Sequence, residues 1–315
     1  MGSNNGQKGY IEAEELYLNE GNTISFGQDT ATMYYQEYPY FTGDKIKILK
    51  PKIERFNKKN AQFFLVALRK PFSSFSWGSS SFSEETIKSQ TVLLPTQNGK
   101  IDFDFMESFI AELEAQRIAE LETYLSVTGL KDYALTAEEE TALATFNELE
   151  WSSYNLEKLY GKSTRGKLLK SEDRIEGDFP FVTAGEAFEG ISAYIGNEVD
   201  IFEANTTTID MFGSAKYRNY KYGADDHVAV VHTEVLPKYA AIFATTAIHK
   251  SSHSGKFDYS RNFYAKDADA LDILLPTKDK KPDYEIMKTL ISAIQKLVIK
   301  DVVLYADTKI EATKK

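Results

Sequence analysis

At 315 residues, with 42% hydrophobic, 13% aromatic and 27% charged side chains, the chain is long enough for about two domains and too apolar to stay disordered. It contains no cysteine, which excludes disulfides, thiolate metal sites and a cysteine nucleophile. No apolar run approaches the roughly 18 residues of a membrane span, and the first six residues lack the charged and apolar regions of a signal peptide, so a soluble cytoplasmic protein without membrane contact is expected.

The net charge of -10 argues at first against a nucleic-acid partner, but its distribution matters more than its total. Residues 101–150 carry 2 basic and 13 acidic side chains, a net of -11 that exceeds the whole imbalance. By contrast, residues 161–170 (Gly-Lys-Ser-Thr-Arg-Gly-Lys-Leu-Leu-Lys) hold four positive charges and no negative one.

In chain order, residues 9–99 read as a β-rich piece, 102–126 as a helix, 127–150 as an acidic linker, 151–278 as a longer β-rich unit and 283–306 as a second helix. Short apolar runs such as Phe63–Leu68, Val228–Val231 and Tyr239–Phe243, broken by Gly, Asn and Ser clusters, suit loop-rich α+β domains. In the first helix Phe105, Phe109, Ile110, Leu113, Ile118, Leu121 and Leu125 recur at three- and four-residue steps. Ile286, Met287, Leu290, Ile291, Ile294, Leu297, Val298 and Val302 do so in the second, and the two stripes are expected to pack on each other as a long helical pair. Asp102 and Asp283 stand where N-caps belong.

The halves repeat. Leu93-Leu94-Pro95-Thr96 recurs as Leu274-Leu275-Pro276-Thr277, and at the same offset Asp102, Phe103, Met106 and Ile110 match Asp283, Tyr284, Met287 and Ile291. Thr23-Ile24-Ser25-Phe26-Gly27 resembles Thr208-Ile209-Asp210-Met211-Phe212-Gly213.

Catalytic motifs are not legible. Gly161-Lys162-Ser163-Thr164 lacks the first glycine of a phosphate loop, whose place is taken by Leu156, so the backbone amides there could not wrap a phosphate. His249 and His253 have helical spacing, but no glutamate follows His249 and the intervening Lys250-Ser251-Ser252 reads as a loop, so hydrogen-bonded or surface histidines are expected rather than a zinc site. Asp225-Asp226 reads as a turn before a strand. No Gly-x-Ser-x-Gly elbow or dinucleotide fingerprint is present, so neither a cofactor nor a metal is expected.

What remains is a set of basic, polar and aromatic segments of the kind that carry phosphate and base contacts. They are Lys162, Ser163, Thr164, Arg165 and Lys167; Lys216 and Arg218; Lys250, Ser252, Lys256, Tyr259 and Arg261 in a loop; and, in its repeat partner, Lys70, Ser73 and Ser74. A mobile surface loop is the plainer reading of each.

Arg174-Ile175-Glu176-Gly177-Asp178-Phe179-Pro180-Phe181-Val182-Thr183-Ala184-Gly185, then Gly190-Ile191, Tyr194-Ile195, Ile209-Asp210-Met211-Phe212-Gly213 and Asp225-Asp226, resemble the target recognition domain of restriction–modification specificity subunits. Leu-Leu-Pro-Thr followed by a long helix, twice over, resembles that family's alternation of recognition domains with helical spacers. The resemblance implies a non-enzymatic α+β chain: a partial first recognition domain (1–101), a central helix and acidic linker (102–150), a second recognition domain (151–278) and a distal helix (279–315).

It implies a subunit of a Type I or Type IIB system that reads split double-stranded DNA and directs N6-adenine methyltransferase (M) subunits and, in larger assemblies, a restriction (R) subunit. The alternatives are a helical docking adaptor that binds the methyltransferase without reading DNA, and an unrecognised hydrolase. Matching Gly6-Gln7-Lys8-Gly9-Tyr10-Ile11 to Gly190–Ile195 leaves the first recognition domain without opening strands and without its version of the Lys162–Lys167 segment.

Overall fold

The computed structural model describes residues 9–12, 15–72 and 83–313, and the chain divides into two compact units, Met1–Tyr124 with Ala306–Lys315, and Leu125–Tyr305. Among the described residues no helix is long and apolar enough to cross a membrane.

In the first unit β1 (Thr23–Gly27) is the centre of an antiparallel sheet, flanked by β2 (Met33–Gln36) and β3 (Ile46–Leu49). Helix α1 (Ala61–Phe72) covers it, closing a core of Ile24, Phe26, Met33, Phe56, Leu65 and Phe72 in which the Phe26 and Phe72 rings meet edge to face at 5.0 Å. A short α2 (Glu84–Lys88) is capped by the Ser83 side chain, which accepts from the Thr86 N–H. The hairpin β4 (Thr96–Gln97) and β5 (Lys100–Ile101) then turns through Asn98 and Gly99, both at positive φ, into α3 (Phe103–Val127). Asp102 caps α3 as expected, accepting from the Phe105 N–H at 2.9 Å. Arg55 pairs with Asp104 at 2.7 Å, and Asn57 and Asn60 both donate to Glu107, fastening α3 to its own unit.

The second unit opens with α4 (Ala137–Ala144), β6 (Trp151–Asn155), α5 (Leu156–Tyr160) and β7 (Thr164–Arg165). The acidic stretch expected as a linker is therefore partly folded. Thr136 and Glu139 form a capping box, and Glu139, 5% exposed, accepts from Ser292 at 2.6 Å and from Lys296 at 3.0 Å. There follow β8 (Glu176–Val182), β9 (Ile191–Ile195), β10 (Thr206–Asp210), β11 (Ala215–Arg218), β12 (Gly223–Ala224) and β13 (Val228–Val231). The chain continues with α6 (Lys238–Ser252), α7 (Ala265–Asp269), β14 (Asp272–Lys278), β15 (Lys281–Pro282) and α8 (Tyr284–Thr313). The sheets have orders β11-β10-β13-β7, β12-β8-β9 and β15-β14-β6.

Helix α6 lays Ala240, Ala241, Ala244 and Ile248 on the face of the first of these sheets that carries Ile209, Ala215, Ala229 and Val231. Alternation puts Thr206, Thr208, Asp210, Lys216 and Arg218 on the other face.

Of the three short apolar runs, Val228–Val231 is strand β13, whereas Phe63–Leu68 lies in α1 and Tyr239–Phe243 in α6. The buried residues at positions 240, 241, 244 and 248 have helical spacing, which a five-residue window cannot distinguish from a buried strand.

The repeat extends to side chains, in a register different from the one expected for β1. Asn22 and Asn205 both have positive φ, both accept a tyrosine hydroxyl (Tyr35 at 2.9 Å, Tyr217 at 2.8 Å) and both donate to main-chain carbonyls. Thr23 meets Tyr40 as Thr206 meets Tyr222, so Thr23 corresponds to Thr206 rather than Thr208. Asp283 caps α8 through the Ile286 N–H at 3.0 Å, matching Asp102.

Candidate nucleic-acid interface

Strand β7 is the edge of the four-stranded sheet, and its placement depends on three local contacts. The Ser163 N–H donates to Asp269 at 2.7 Å, the Thr164 hydroxyl meets His232 Nε2 at 2.9 Å, and the Lys167 N–H donates to the Ala224 carbonyl at 3.0 Å. Gly166 lies so close to that carbonyl that a Cβ would fall 1.8 Å from its oxygen, so only glycine lets the strand seat there. Lys162, Thr164, Arg165 and Lys167 are exposed, whereas Ser163 is 6% exposed and serves as an anchor.

Register fixes what shares this end of the sheet. Arg165 pairs with Ala229, Ala229 with Ile209 and Ile209 with Ala215, one row across all four strands. Three strand spacings of about 4.8 Å put the edges of that row roughly 14 Å apart. At its far edge the Ala215 N–H donates to His249 Nδ1 at 3.1 Å, next to exposed Lys250 on α6. Lys250-Ser251-Ser252, read as a loop, is the last turn of α6. The His249 and His253 rings stack there at 4.8 Å, and burial together with His253 holds His249 below its ordinary range. The segment that follows carries exposed Lys256, Tyr259 and Arg261; the Tyr259 ring meets Phe212 at 5.2 Å and the Arg261 guanidinium lies over Phe257 at 5.4 Å.

Three other candidates are turned inward. Arg218 is 1% exposed: its Nε donates to Thr208 and one terminal nitrogen to Tyr220, both at 2.9 Å, with Tyr222 under the guanidinium. Ser252, 0% exposed, donates to the Gly213 and Ile248 carbonyls. Lys216 is held by Glu186 at 3.1 Å and Ser214 at 2.9 Å, close to buried Asp210. These fasten the β10–β11 turn, and burial removes Arg218 and Ser252 from direct DNA contact. Charge and hydroxyl chemistry in the sequence carry no sign of the burial. Lys70 is exposed on α1 rather than in a loop, and Ser73 and Ser74 lie outside the described residues.

Asp225, Asp226 and His227 bring one potential metal-ligand atom each within 4.8 Å of one another. His227 Nδ1 lies 2.9 Å from Asp226, and burial with the neighbouring Asp226 carboxylate pushes the Asp225 carboxyl up. The main chain here makes the turn that was expected, the Val228 N–H donating to the Asp225 carbonyl as β13 begins.

The small helix-backed sheet, recurring with the same asparagine and threonine locks in both units, defines a duplicated β-rich recognition module joined to long helices. The chain belongs to the family described as the Type I restriction modification DNA specificity domain, whose profile matches residues 1–123 and 148–304. It is a non-catalytic specificity subunit, and its part is DNA sequence recognition. Specificity subunit S.BcgI of the Type II restriction enzyme BgcI of Heyndrickxia coagulans is 26% identical over 297 residues, covering 91% of this chain and 82% of that protein. The crystal structure of a Type I restriction-modification system S subunit from M. genitalium shares the fold. Its TM-score is 0.57 at 14% identity, over 93% of this chain and 80% of that one.

Proposed function

We propose that the second unit reads one half of a bipartite duplex target at the end of its four-stranded sheet. The chain thereby directs partner N6-adenine methyltransferase subunits and, in larger assemblies, a restriction subunit. The observation that carries the reading is the row from Arg165 to Ala215. It sets Lys162, Arg165 and Lys167 on one edge and Lys250 beyond the other, at a separation of roughly 14 Å that suits phosphates on the two sides of a major groove about 12 Å wide. Lys256, Tyr259 and Arg261 follow on the same side as Lys250 and supply the base-facing chemistry.

The first unit has no counterpart of β7 among its described residues, so the edge cations of the second unit are not repeated there. In the first unit exposed Phe105, Phe109 and Leu113 on α3 offer the methyltransferase an apolar docking surface, and in the second unit exposed Leu297 and Val298 on α8 offer another.

Methylome sequencing of a host expressing the complete system tests the reading. A split adenine-methylated motif that disappears when Lys162, Arg165 and Lys250 are replaced together is the expected result. A split motif that persists unchanged would overturn this placement of the reading surface, and a complete system that methylates no defined motif would leave the chain a docking adaptor.

A further inference from the structure

Between β8 and β9 the chain makes a closed loop, residues 183–190. The Thr183 N–H donates to the Gly190 carbonyl at 2.9 Å. Gly190, at φ +81°, lies so near Thr183 that a Cβ would fall 2.8 Å from the Thr183 carbonyl oxygen, so only glycine shuts the loop. The middle of the loop is moored to the four-stranded sheet. Glu186 accepts from Lys216 Nζ at 3.1 Å, and the Ser214 hydroxyl and that ammonium hold its carboxyl below the usual range. Ser214 and Lys216 flank Ala215, which ends the row that starts at Arg165 and donates to His249 beside Lys250. Phe188 comes two residues after Glu186, so its Cα lies within about 7 Å of the Glu186 Cα, at the same edge of the sheet as Lys250.

Phe188 is 85% exposed and stands on left-handed backbone, φ 49° and ψ 38°, and Glu189 follows it at φ 57° and ψ 22°. Single exposed apolar side chains are ordinary, but a bulky one at positive φ is an outlier that persists only where the surrounding structure imposes it. Among the described residues no other aromatic side chain has positive φ. The sequence repeat sharpens the contrast. In the register that pairs Gly6 with Gly190, the first half has Asn4-Asn5 where the second has Phe188-Glu189. Asparagine tolerates left-handed backbone, so the second unit gives up the residues that suit this turn and presents a ring and a carboxylate instead. Neither suits a phosphate, because the ring is apolar and Glu189, exposed beside it, has the same sign of charge. Base edges suit both: in the major groove thymine shows an apolar methyl group, and cytosine an amino donor for a carboxylate. We propose that Phe188 is a specificity-determining residue that packs on the 5-methyl group of a thymine in the major groove. This rests on the reading of the second unit as a DNA-reading domain and names the base and the side chain within it.

Selection from a randomised duplex library by the full chain within its complete system, followed by sequencing, gives the motif of wild type and of Phe188→Asn. Each thymine of the wild-type motif is then replaced in turn by uracil, which lacks only the methyl group, and affinities are measured for both proteins. The expected result is one thymine at which uracil weakens wild-type binding about 4-fold, the worth of one buried methyl, and has no effect on the variant. The variant should also lose its preference for thymine at that position alone. Its melting temperature should hold or rise, because asparagine accepts this backbone and the ring it replaces is exposed. A wild-type chain indifferent to uracil at every thymine would overturn the assignment while leaving DNA reading intact. So would a variant that keeps the whole motif, or one that keeps it and loses its methyltransferase, in which case the ring docks protein. A fall in melting temperature that accounts for the lost preference would make Phe188 a folding residue instead. A wild-type chain that enriches no motif would overturn the assignment and the reading beneath it together.

Discussion

Reversing Lys162, Arg165 and Lys167 to glutamate should weaken duplex binding at every sequence and flatten its dependence on salt. Each phosphate contact releases counterions worth about 0.9 in the slope of log affinity against log salt. Lys162 and Arg165 are exposed and take part in the fold through main chain alone, Arg165 by pairing with Ala229. They should count fully. Lys167 is 3.0 Å from Asp200, with side chains 79% and 55% exposed. An exposed pair of that kind is worth under about 1 kcal/mol, so Lys167 can leave it for a phosphate at a small discount.

The summed change in slope is roughly 2 to 2.7, so between 50 and 200 mM salt the wild type should lose about 16- to 40-fold more affinity than the variant. Fluorescence anisotropy of a labelled duplex across a salt series measures this, and unfolding monitored alongside should show little change because the strand's Gly166 and main-chain bonds remain. An unchanged slope, with or without a change in affinity, would refute the placement of β7 against phosphate.

Arg218→Ala should act through folding: removing a fully buried side chain with two hydrogen bonds costs about 3 kcal/mol, and any loss of binding should track the fraction unfolded and leave the salt slope alone. Glu139→Gln should destabilise the chain by about 2 kcal/mol at neutral pH. Burial pushes the Glu139 carboxyl up from 4.5, but Ser292, the Thr136 N–H and Lys296 outweigh it and hold the carboxyl at about 2. Its contribution is therefore complete above the ordinary 4.5 and is lost as pH falls from there toward 2. Urea midpoints of wild type and variant should converge over that window, and a difference independent of pH would contradict the pairing. Inserting about four residues, one helical turn, into both α3 and α8 should lengthen the gap in the methylated motif without altering either half-site. Altered half-sites with a fixed gap would mean that the helices do not set the spacing.

Local chemistry was legible in the sequence wherever a residue answers to its immediate neighbours. Asp102 and Asp283 cap their helices because a short acceptor three residues ahead of an amide needs no tertiary help. The Leu-Leu-Pro-Thr repeat marks a real structural repeat for the same reason: the Asp102 and Asp283 N–H groups donate to the Pro95 and Pro276 carbonyls, both at 2.9 Å. The family's motif order was legible too.

What the tertiary structure alone decided is which side of each element meets protein. The sequence shows an apolar stripe on each of α3 and α8 and makes a helical pair the expectation. Within those stripes Leu125, Met287 and Leu290 are buried, while Phe105, Phe109, Leu113, Ile294, Leu297 and Val298 are exposed. Periodicity identifies an apolar face but not the surface opposite it. Likewise an arginine and a serine in basic, polar segments look alike whether they face solvent or, as Arg218 and Ser252 do, fill the interior, because charge is a property of the residue and burial a property of everything packed around it.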